Sequence, residues 1–188
     1  LSFIFTKVIF VKDAVILVDK NDNELGTMPK LEAHITGALH RAFSLFIFNS
    51  KQQMLIQQRA LTKYHSGGLW ANSCCSHPLP NEPLSQAIHR RLNEELGMQC
   101  DMQPIGTILY NEKVTDDLIE HEFDHLFLGF SDKTPLCHPD EVMDHRWVSL
   151  NELYHDVEKH PENYSAWFCH ILMALGIEQF TRWSKNIT

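Results

Sequence analysis

The sequence predicts an α/β fold in which helices pack on the outside of a sheet. Several short apolar runs bounded by turn residues are typical of strands. Three longer segments repeat apolar residues at helical spacing, which is typical of helices that bury one face. The 188 residues, 44% of them hydrophobic and 21% charged, suffice for one globular domain with a sizeable core. Strands and helices of this kind favour a layered α/β architecture.

The elements follow one another without a linker or an internal repeat. A turn at 21–23 separates the first two strands, Pro29 opens a short helical or irregular stretch, and 61–68 is a polar loop. The predicted strands are 14–19, 25–28, 42–48, 54–59, 69–75, 105–114, 120–130 and 142–148. The predicted helices are 83–96, 150–158 and 166–183, and the last carries Trp167, Ile171, Leu175 and Phe180 on one face.

The helix at 83–96 is the most informative element. Asn81 is placed to cap it, Pro83 suits its first turn, and Gly97 is placed to end it. At about 100° per residue, Arg91 and Glu95 fall inside the apolar face. Charges that point into a core need partners, which favours a functional site over a solvated salt-bridging helix. The apolar face consists of Leu84, Ala87, Ile88, Leu92 and Leu96.

The stretch 76–98 resembles the Nudix box: Gly, five residues, Glu, seven residues, then Arg-Glu-apolar-x-Glu-Glu-x-Gly-apolar. Glu82 and the run RRLNEELGM match it, but Ser76 replaces the first glycine and Arg91 replaces the first glutamate of the helix. The resemblance implies a Nudix-type α/β/α sandwich with a mixed sheet and a site for a diphosphate and metal. Nudix hydrolases use the replaced glutamate to hold metal and to activate water, so hydrolysis is in doubt.

A second pattern predicts a metal site. His34 and His40 precede the strand at 42–48, and His77 follows the strand at 69–75. Glu120 and Glu122 are two residues apart on a predicted strand, so both side chains point to one face. Three imidazoles and two carboxylates suit a divalent ion such as Zn²⁺ or Mn²⁺. The alternative is that these histidines are merely exposed at strand ends.

Four segments, LHRAFSLFIFN, WANSCCSHPL, RRLNEELG and EHEFDHLF, resemble type 1 isopentenyl-diphosphate isomerases, a branch of the Nudix superfamily. The likeness spans about 19–183. It implies a catalytic cysteine at Cys75, a catalytic glutamate at Glu122 and a tyrosine beside that glutamate at Tyr110. The metal ligands that it implies are His34, His40, His77, Glu120 and Glu122.

The same resemblance implies a binding site for a diphosphate. Mg²⁺ would be held by Glu95, the carbonyl of Cys75 and the substrate, and Trp167 would face the substrate. Trp167 has a structural alternative as ordinary core of an amphipathic helix. The implied diphosphate contacts are Lys30, Arg59, Lys63 and Arg91.

The implied reaction, the isomerisation of isopentenyl diphosphate to dimethylallyl diphosphate, needs an acid on one side of an allyl unit and a base on the other. Cys75 and Glu122 suit that opposed pair. Cys75 has a structural alternative as an inert buried thiol, and Cys74 is expected on the opposite side of the strand. We also consider a Nudix pyrophosphohydrolase of nucleoside diphosphate derivatives, which Glu94 and Glu95 favour, and a non-enzymatic metal-binding module.

Composition limits the partners. The net charge of −8 gives no general basic surface for nucleic acid. Apolar runs stay well below the ~20 residues of a membrane span. Five cysteines without a C-x-x-C pair argue against a disulfide framework and favour a reducing cytoplasm. We expect one domain over 1–188, with 1–12 a possible N-terminal extension, acting on a small molecule as a monomer or weak dimer.

Overall fold

A computed structural model describes residues 13–185, so the predicted N-terminal extension at 1–12 lies outside the described residues. The strands are β1 (Ala14–Val18), β2 (Glu24–Pro29), β3 (His40–Phe48), β4 (Met54–Arg59), β5 (Trp70–Ala71), β6 (Cys74–Ser76), β7 (Met102–Lys113), β8 (Ile119–Phe130) and β9 (Val142–Val148). The helices are α1 (Lys30–Thr36), α2 (Leu84–Leu96), α3 (Leu150–Lys159) and α4 (Ala166–Ser184), with a 3₁₀ turn at Pro161–Asn163.

Strand β3 is the centre of a mixed sheet. It runs parallel to β8 over its full length, from His40 opposite Glu122 to Phe48 opposite Phe130. It also runs antiparallel to β1, β4 and β6. Its residues from Ala42 onward are buried on both faces, as expected for a strand between two helical layers.

Two apolar cores lie on the two sides of the sheet. Helices α3 and α4 cover the face that carries Phe46 and Phe48. Helix α2 covers the face that carries Phe43 and Leu45. The predicted α/β/α sandwich with a mixed sheet is therefore confirmed.

The prediction of one strand at 69–75 is wrong. The chain leaves β5, which pairs with β4, and enters β6, which pairs with β3. Ser73 lies between the two short strands, where its hydroxyl accepts from the Ile47 amide at 2.9 Å and donates to the Leu55 carbonyl at 2.7 Å. The Ser73 side chain thus links β3 and β4 where their backbones separate. The sequence pattern of apolar residues does not predict this break in the strand.

Helix α2 begins and ends close to the predicted positions, but Asn81 does not cap it. Asn81 has a φ of 64°, in the turn where the Glu82 amide donates to the Leu79 carbonyl. The helix begins directly after Pro83 with no side-chain cap. Gly97 ends it at a φ of 57°, and a Cβ there would lie 2.5 Å from the Leu136 carbonyl oxygen. Both the conformation and the close approach favour glycine.

Helix α4 is kinked at Gly176, where φ is 73° and ψ is 158°. The kink lies between Ile171 and Phe180, so the helical spacing of the predicted apolar face is interrupted there. Trp167, Ile171 and Phe180 are nevertheless all buried. Within 13–185, no helix has the length and apolar character required to cross a membrane.

Candidate active site and metal centre

The structure brings the five predicted metal ligands together. His34 lies in the last turn of α1, His40 begins β3, His77 follows β6, and both glutamates lie on β8. One ligand atom from each lies within 4.8 Å of the others, and most of the set is buried. We call this set the metal-ligand cluster; it consists of His34, His40, His77, Glu120 and Glu122.

Hydrogen bonds fix how two of the histidines face the cluster. The Nδ1 of His34 lies 2.6 Å from the Lys30 carbonyl oxygen, and the Nδ1 of His40 lies 2.8 Å from that of Ala38. Since a carbonyl only accepts, each Nδ1 carries the proton and donates. The two Nε2 atoms are buried and lack hydrogen-bond partners among the described residues, as does Oε2 of Glu120. This donor arrangement is typical of metal-binding histidines, so the residues fit a divalent ion.

The electrostatics also fit a cation. Burial and the charge of Glu122 act to raise the pKa of Glu120, but the neighbouring imidazoles of His34 and His65 lower it to about 2. Burial likewise opposes ionisation of Glu122, yet the neighbouring imidazole of His40 lowers its pKa. Burial and the nearby Lys30 charge lower the pKa of His77 well below its ordinary value. Two carboxylates and a neutral His77 have the protonation states that metal binding requires, whereas Glu122 raises the pKa of His40 against the effect of burial, so His40 would lose its proton when an ion binds.

Cys75 lies on the same face of the sheet as this cluster. It pairs with Ser44 of β3, whereas its neighbour Cys74 faces the core under α2, as predicted. Burial raises the pKa of the Cys75 thiol well above its ordinary value, and the charge of Glu122 raises it further. The thiol is therefore protonated at neutral pH. The hydroxyl of Tyr110 donates to Oε2 of Glu122, the arrangement expected for a tyrosine beside that carboxylate.

Trp167 is buried beside this site, at 2% exposure. Its indole N–H donates to Oδ1 of Asn72 at 3.3 Å, and the Arg59 guanidinium lies 5.0 Å from the ring centroid. The tryptophan belongs to the same buried core cluster as Tyr110, and Cys75 packs against that cluster. It therefore lies next to the reactive groups while also contributing to the core.

Positively charged residues line a neighbouring cleft of about 220 Å³. His77 belongs to both this cleft and the metal-ligand cluster, so the two regions are continuous. Arg59 lies outside the lining, stacked on Trp167, and its buried Nε has no hydrogen-bond partner among the described residues. We call this region the cation cleft; its charged lining includes Lys30, Lys63, Arg90, Arg91 and Glu141.

Arg91 and Glu95 face inward from α2, as the helical spacing predicts. Glu95 is buried at 5% exposure, and its Oε1 accepts from Arg91 at 2.7 Å. Its other oxygen accepts from Gln57 at 2.9 Å. Arg91 also donates to Glu94 at 2.8 Å and to Glu141 at 2.9 Å. The guanidinium is thus surrounded by three carboxylates.

Sequence reasoning missed three residues of this region. His65 lies 3.0 Å from Glu120 but belongs to a polar loop whose pattern does not predict side-chain direction. Glu141 pairs with Lys63 and Arg91 from the segment before β9, which also lacks a periodic pattern. Asp124 is buried, and burial together with Glu122 raises its pKa well above its ordinary value. The two-residue spacing from Glu122 would have placed Asp124 on the same face.

Comparisons with known proteins agree with this geometry. A family model described as NUDIX domain matches residues 38–168. Isopentenyl-diphosphate Delta-isomerase 2 of Aromatoleum aromaticum is 51% identical over 162 residues, which cover 86% of each chain. Isopentenyl-diphosphate Delta-isomerase of Pectobacterium atrosepticum is 50% identical over 154 residues, which cover 82% of this chain and 86% of the relative.

Solved structures support the fold alone. DR0079 of Deinococcus radiodurans matches with a TM-score of 0.72 at 18% identity, covering 86% of this chain and 98% of the other. A MutT protein of Methanosarcina mazei matches with a TM-score of 0.59 at 21% identity, covering 79% and 96%. The sequence relatives are far closer and extend over most of both chains. The chain therefore belongs to the isopentenyl-diphosphate Delta-isomerase branch of the Nudix family.

Proposed function

We propose that this protein interconverts isopentenyl diphosphate and dimethylallyl diphosphate by adding a proton at C4 and removing one from C2. The observation that carries the proposal is a protonated thiol, Cys75, and an ionised carboxylate, Glu122, on one face of the sheet. Relatives at 50% and 51% identity bear the name of this isomerase, which supports the assignment.

The reaction demands an acid and a base that act on opposite sides of the allyl unit. The alkene is a weak base, and its protonation leads toward a tertiary cation. Cys75 and Glu122 together hold one transferable proton and one negative charge, and the isomerisation consumes and returns one proton. Tyr110 donates to Glu122 and so holds the carboxylate in place.

The metal-ligand cluster would hold one divalent transition ion, Mn²⁺ or Zn²⁺. When bound, the ion supplies a positive charge that changes the acidity of Glu122 and its neighbours. Glu122 belongs both to this cluster and to the acid–base pair. The proton chemistry of Glu122 is therefore tied to the geometry of the cluster.

The cation cleft would bind the diphosphate. Lys30, Lys63 and Arg91 line it, and Arg59 presents an unpartnered buried donor beside it. Glu95, the Cys75 carbonyl and the substrate would hold Mg²⁺, which proteins typically bind through one or two carboxylates plus phosphates. Anchoring the diphosphate positions the reacting carbons between the acid and the base.

Trp167 would stabilise the cationic centre through its ring face. A desolvated contact of this kind is worth on the order of 2 kcal/mol. The hydrogen bond from Trp167 to Asn72 fixes the plane of the ring. A pocket that holds a carbocation must also exclude water, and the buried position of Trp167 serves both needs.

The experiment that tests the proposal supplies isopentenyl diphosphate, Mg²⁺ and Mn²⁺ to the purified protein, without flavin or nicotinamide. We expect acid-labile dimethylallyl product without release of phosphate. Faster phosphate release from nucleoside diphosphate derivatives would overturn the assignment in favour of the pyrophosphohydrolase. Metal binding without turnover of either substrate would favour a metal-binding module instead.

The structure gives the hydrolase alternative less support. Arg91 stands where hydrolases have the first glutamate of the helix, and it engages Glu94 and Glu95 in ion pairs. This position therefore carries a cation instead of a carboxylate, so the helix lacks one of the metal ligands that hydrolases use. The expected cytoplasmic location and the monomer or weak dimer stay predictions, the latter to be measured by sedimentation.

A further inference from the structure

His65 occupies a buried position beside the metal-ligand cluster. It lies in the loop between β4 and β5 and is 5% exposed. Its Nε2 lies 3.0 Å from Oε1 of Glu120, while its Nδ1 lies 3.3 Å from the hydroxyl of Ser66. A carboxylate oxygen accepts, so Nε2 carries the proton and donates to Glu120.

Because of this contact, the two carboxylate oxygens of Glu120 have different surroundings. Oε1 accepts from His65, whereas Oε2 lies 3.0 Å from Nε2 of His34 and has no hydrogen-bond partner among the described residues. The oxygen that faces the cluster is therefore left free for a cation. His65 itself lies outside the set of five residues whose ligand atoms lie within 4.8 Å of one another.

The ring of His65 is fixed from several sides. It lies edge-on to Tyr64, with centroids 4.4 Å apart, and to Trp167, with centroids 5.8 Å apart. Arg59 donates to the carbonyl oxygen of His65 at 3.3 Å. A group held in this way can hold a carboxylate in one orientation at little entropic cost, because its own rotation is already restricted.

We propose that His65 is a positioning residue that holds Glu120 through Nε2–H, so that Oε2 of Glu120 faces the metal. The inference rests on the proposed function, since it requires the metal-ligand cluster to bind an ion. Outer-shell hydrogen bonds of this type orient metal ligands, and their loss typically costs about 10–100-fold in metal affinity or activity. The loop between β4 and β5 thereby contributes to the metal centre without supplying a ligand.

The test measures the affinity of the full chain for Mn²⁺ by electron paramagnetic resonance, which reports the free ion. We expect His65→Leu to weaken Mn²⁺ binding by about 10–100-fold. We expect His65→Gln to restore most of the affinity, because its side-chain amide also offers a donor. Unfolding is measured in parallel without metal, which separates a loss of metal affinity from a loss of fold.

His125→Leu is the matched control. It removes another contact of histidine with a carboxylate, 2.9 Å from Asp22, on the opposite face of β8. We expect it to leave Mn²⁺ affinity unchanged. Equal affinities in wild type and His65→Leu, equal losses in His65→Leu and His65→Gln, or an equal loss in His125→Leu would each overturn the role of His65. A wild-type protein that binds no Mn²⁺ would overturn the metal site as well.

Discussion

The metal-ligand cluster and the cation cleft meet at His77, yet their charges are satisfied in opposite ways. In the cluster, Nε2 of His34, Nε2 of His40 and Oε2 of Glu120 are buried without hydrogen-bond partners among the described residues. In the cleft, Arg91 and Lys63 are already paired with carboxylates and remain partly exposed. The cluster therefore needs a cation to satisfy its lone pairs, whereas the cleft must exchange one anion for another.

This difference separates the contributions of the two regions. Unsatisfied buried polar atoms are expensive, so a cation that binds the cluster should add to the stability of the fold. Of the carboxylates that contact Lys63 or Nη2 of Arg91, Glu141 is the most exposed, and a diphosphate supplies the negative charge that a displaced carboxylate removes, so it can replace Glu141 at small cost. We expect variants of the buried region to change chemistry and stability, and variants of the cleft to change binding.

The largest effect is expected in the acid–base pair. Cys75→Ala and Glu122→Gln each remove a proton-transfer group, so each should lower kcat by about 10²–10⁴-fold while the fold survives. Cys74→Ala should have a mild effect, since its thiol faces the other side of the sheet. Isomerase assays and circular dichroism check this, and a loss in Cys74→Ala as large as in Cys75→Ala would contradict the assignment.

The next effect concerns metal and stability. Saturating Mn²⁺ at about 100 times its Kd should raise the free energy of unfolding by about 2.7 kcal/mol. His40→Ala removes a buried ligand and should abolish the increase. Denaturant titrations with Mn²⁺ and with chelator measure both values. An equal increase in the two proteins would show that the ion binds elsewhere.

In the cleft, substitutions of Arg91 and Glu95 should impair activity in different ways. Arg91→Ala removes a bidentate donor worth about 1.5–3 kcal/mol and should weaken substrate binding roughly 10–100-fold. Glu95→Gln should instead raise the Mg²⁺ concentration needed for activity. Mg²⁺ titrations at several substrate concentrations distinguish the two. Unchanged values in both variants would reduce them to a structural ion pair.

The smallest effect tests the exchange of anions directly. Glu141→Gln removes a carboxylate that competes for Lys63 and Arg91, so it should tighten binding of inorganic pyrophosphate by up to about fivefold without Mg²⁺. Asp140→Asn is the matched control, because Asp140 is an exposed neighbour of the same charge. Calorimetry that finds equal gains in both would attribute the effect to net charge, and weaker binding in Glu141→Gln would contradict the exchange.

Periodicity and spacing predict much of this site and fail at particular residues. Alternation along β8 placed Glu120 and Glu122 on one face, and helical spacing placed Arg91 and Glu95 inward. Both arguments work because regular backbones fix side-chain direction. His65 and Glu141 lie on irregular segments, where direction depends on distant partners. No local pattern identifies them.

The errors in the fold have the same origin. The residues at 69–75 have the apolar character of one strand, but Asn72 and Ser73 make hydrogen bonds to separate strands and divide it. Asn81 is a common capping residue, but here it serves a turn. The roles that these residues have in the structure depend on partners that are remote in sequence or on turn geometry. Residue propensity alone does not predict which role a residue takes.

The hydrogen bond between the Ile47 amide and the Ser73 hydroxyl allows one backbone proton to report on the segment that carries Cys75. The Ile47 N–H donates to the Ser73 hydroxyl rather than to a backbone carbonyl, so its hydrogen exchange requires this contact between β3 and the 72–76 segment to open. That segment carries Cys75. The exchange rate of one backbone proton on β3 therefore reports how often the contact two residues from Cys75 opens, even when no substrate is present.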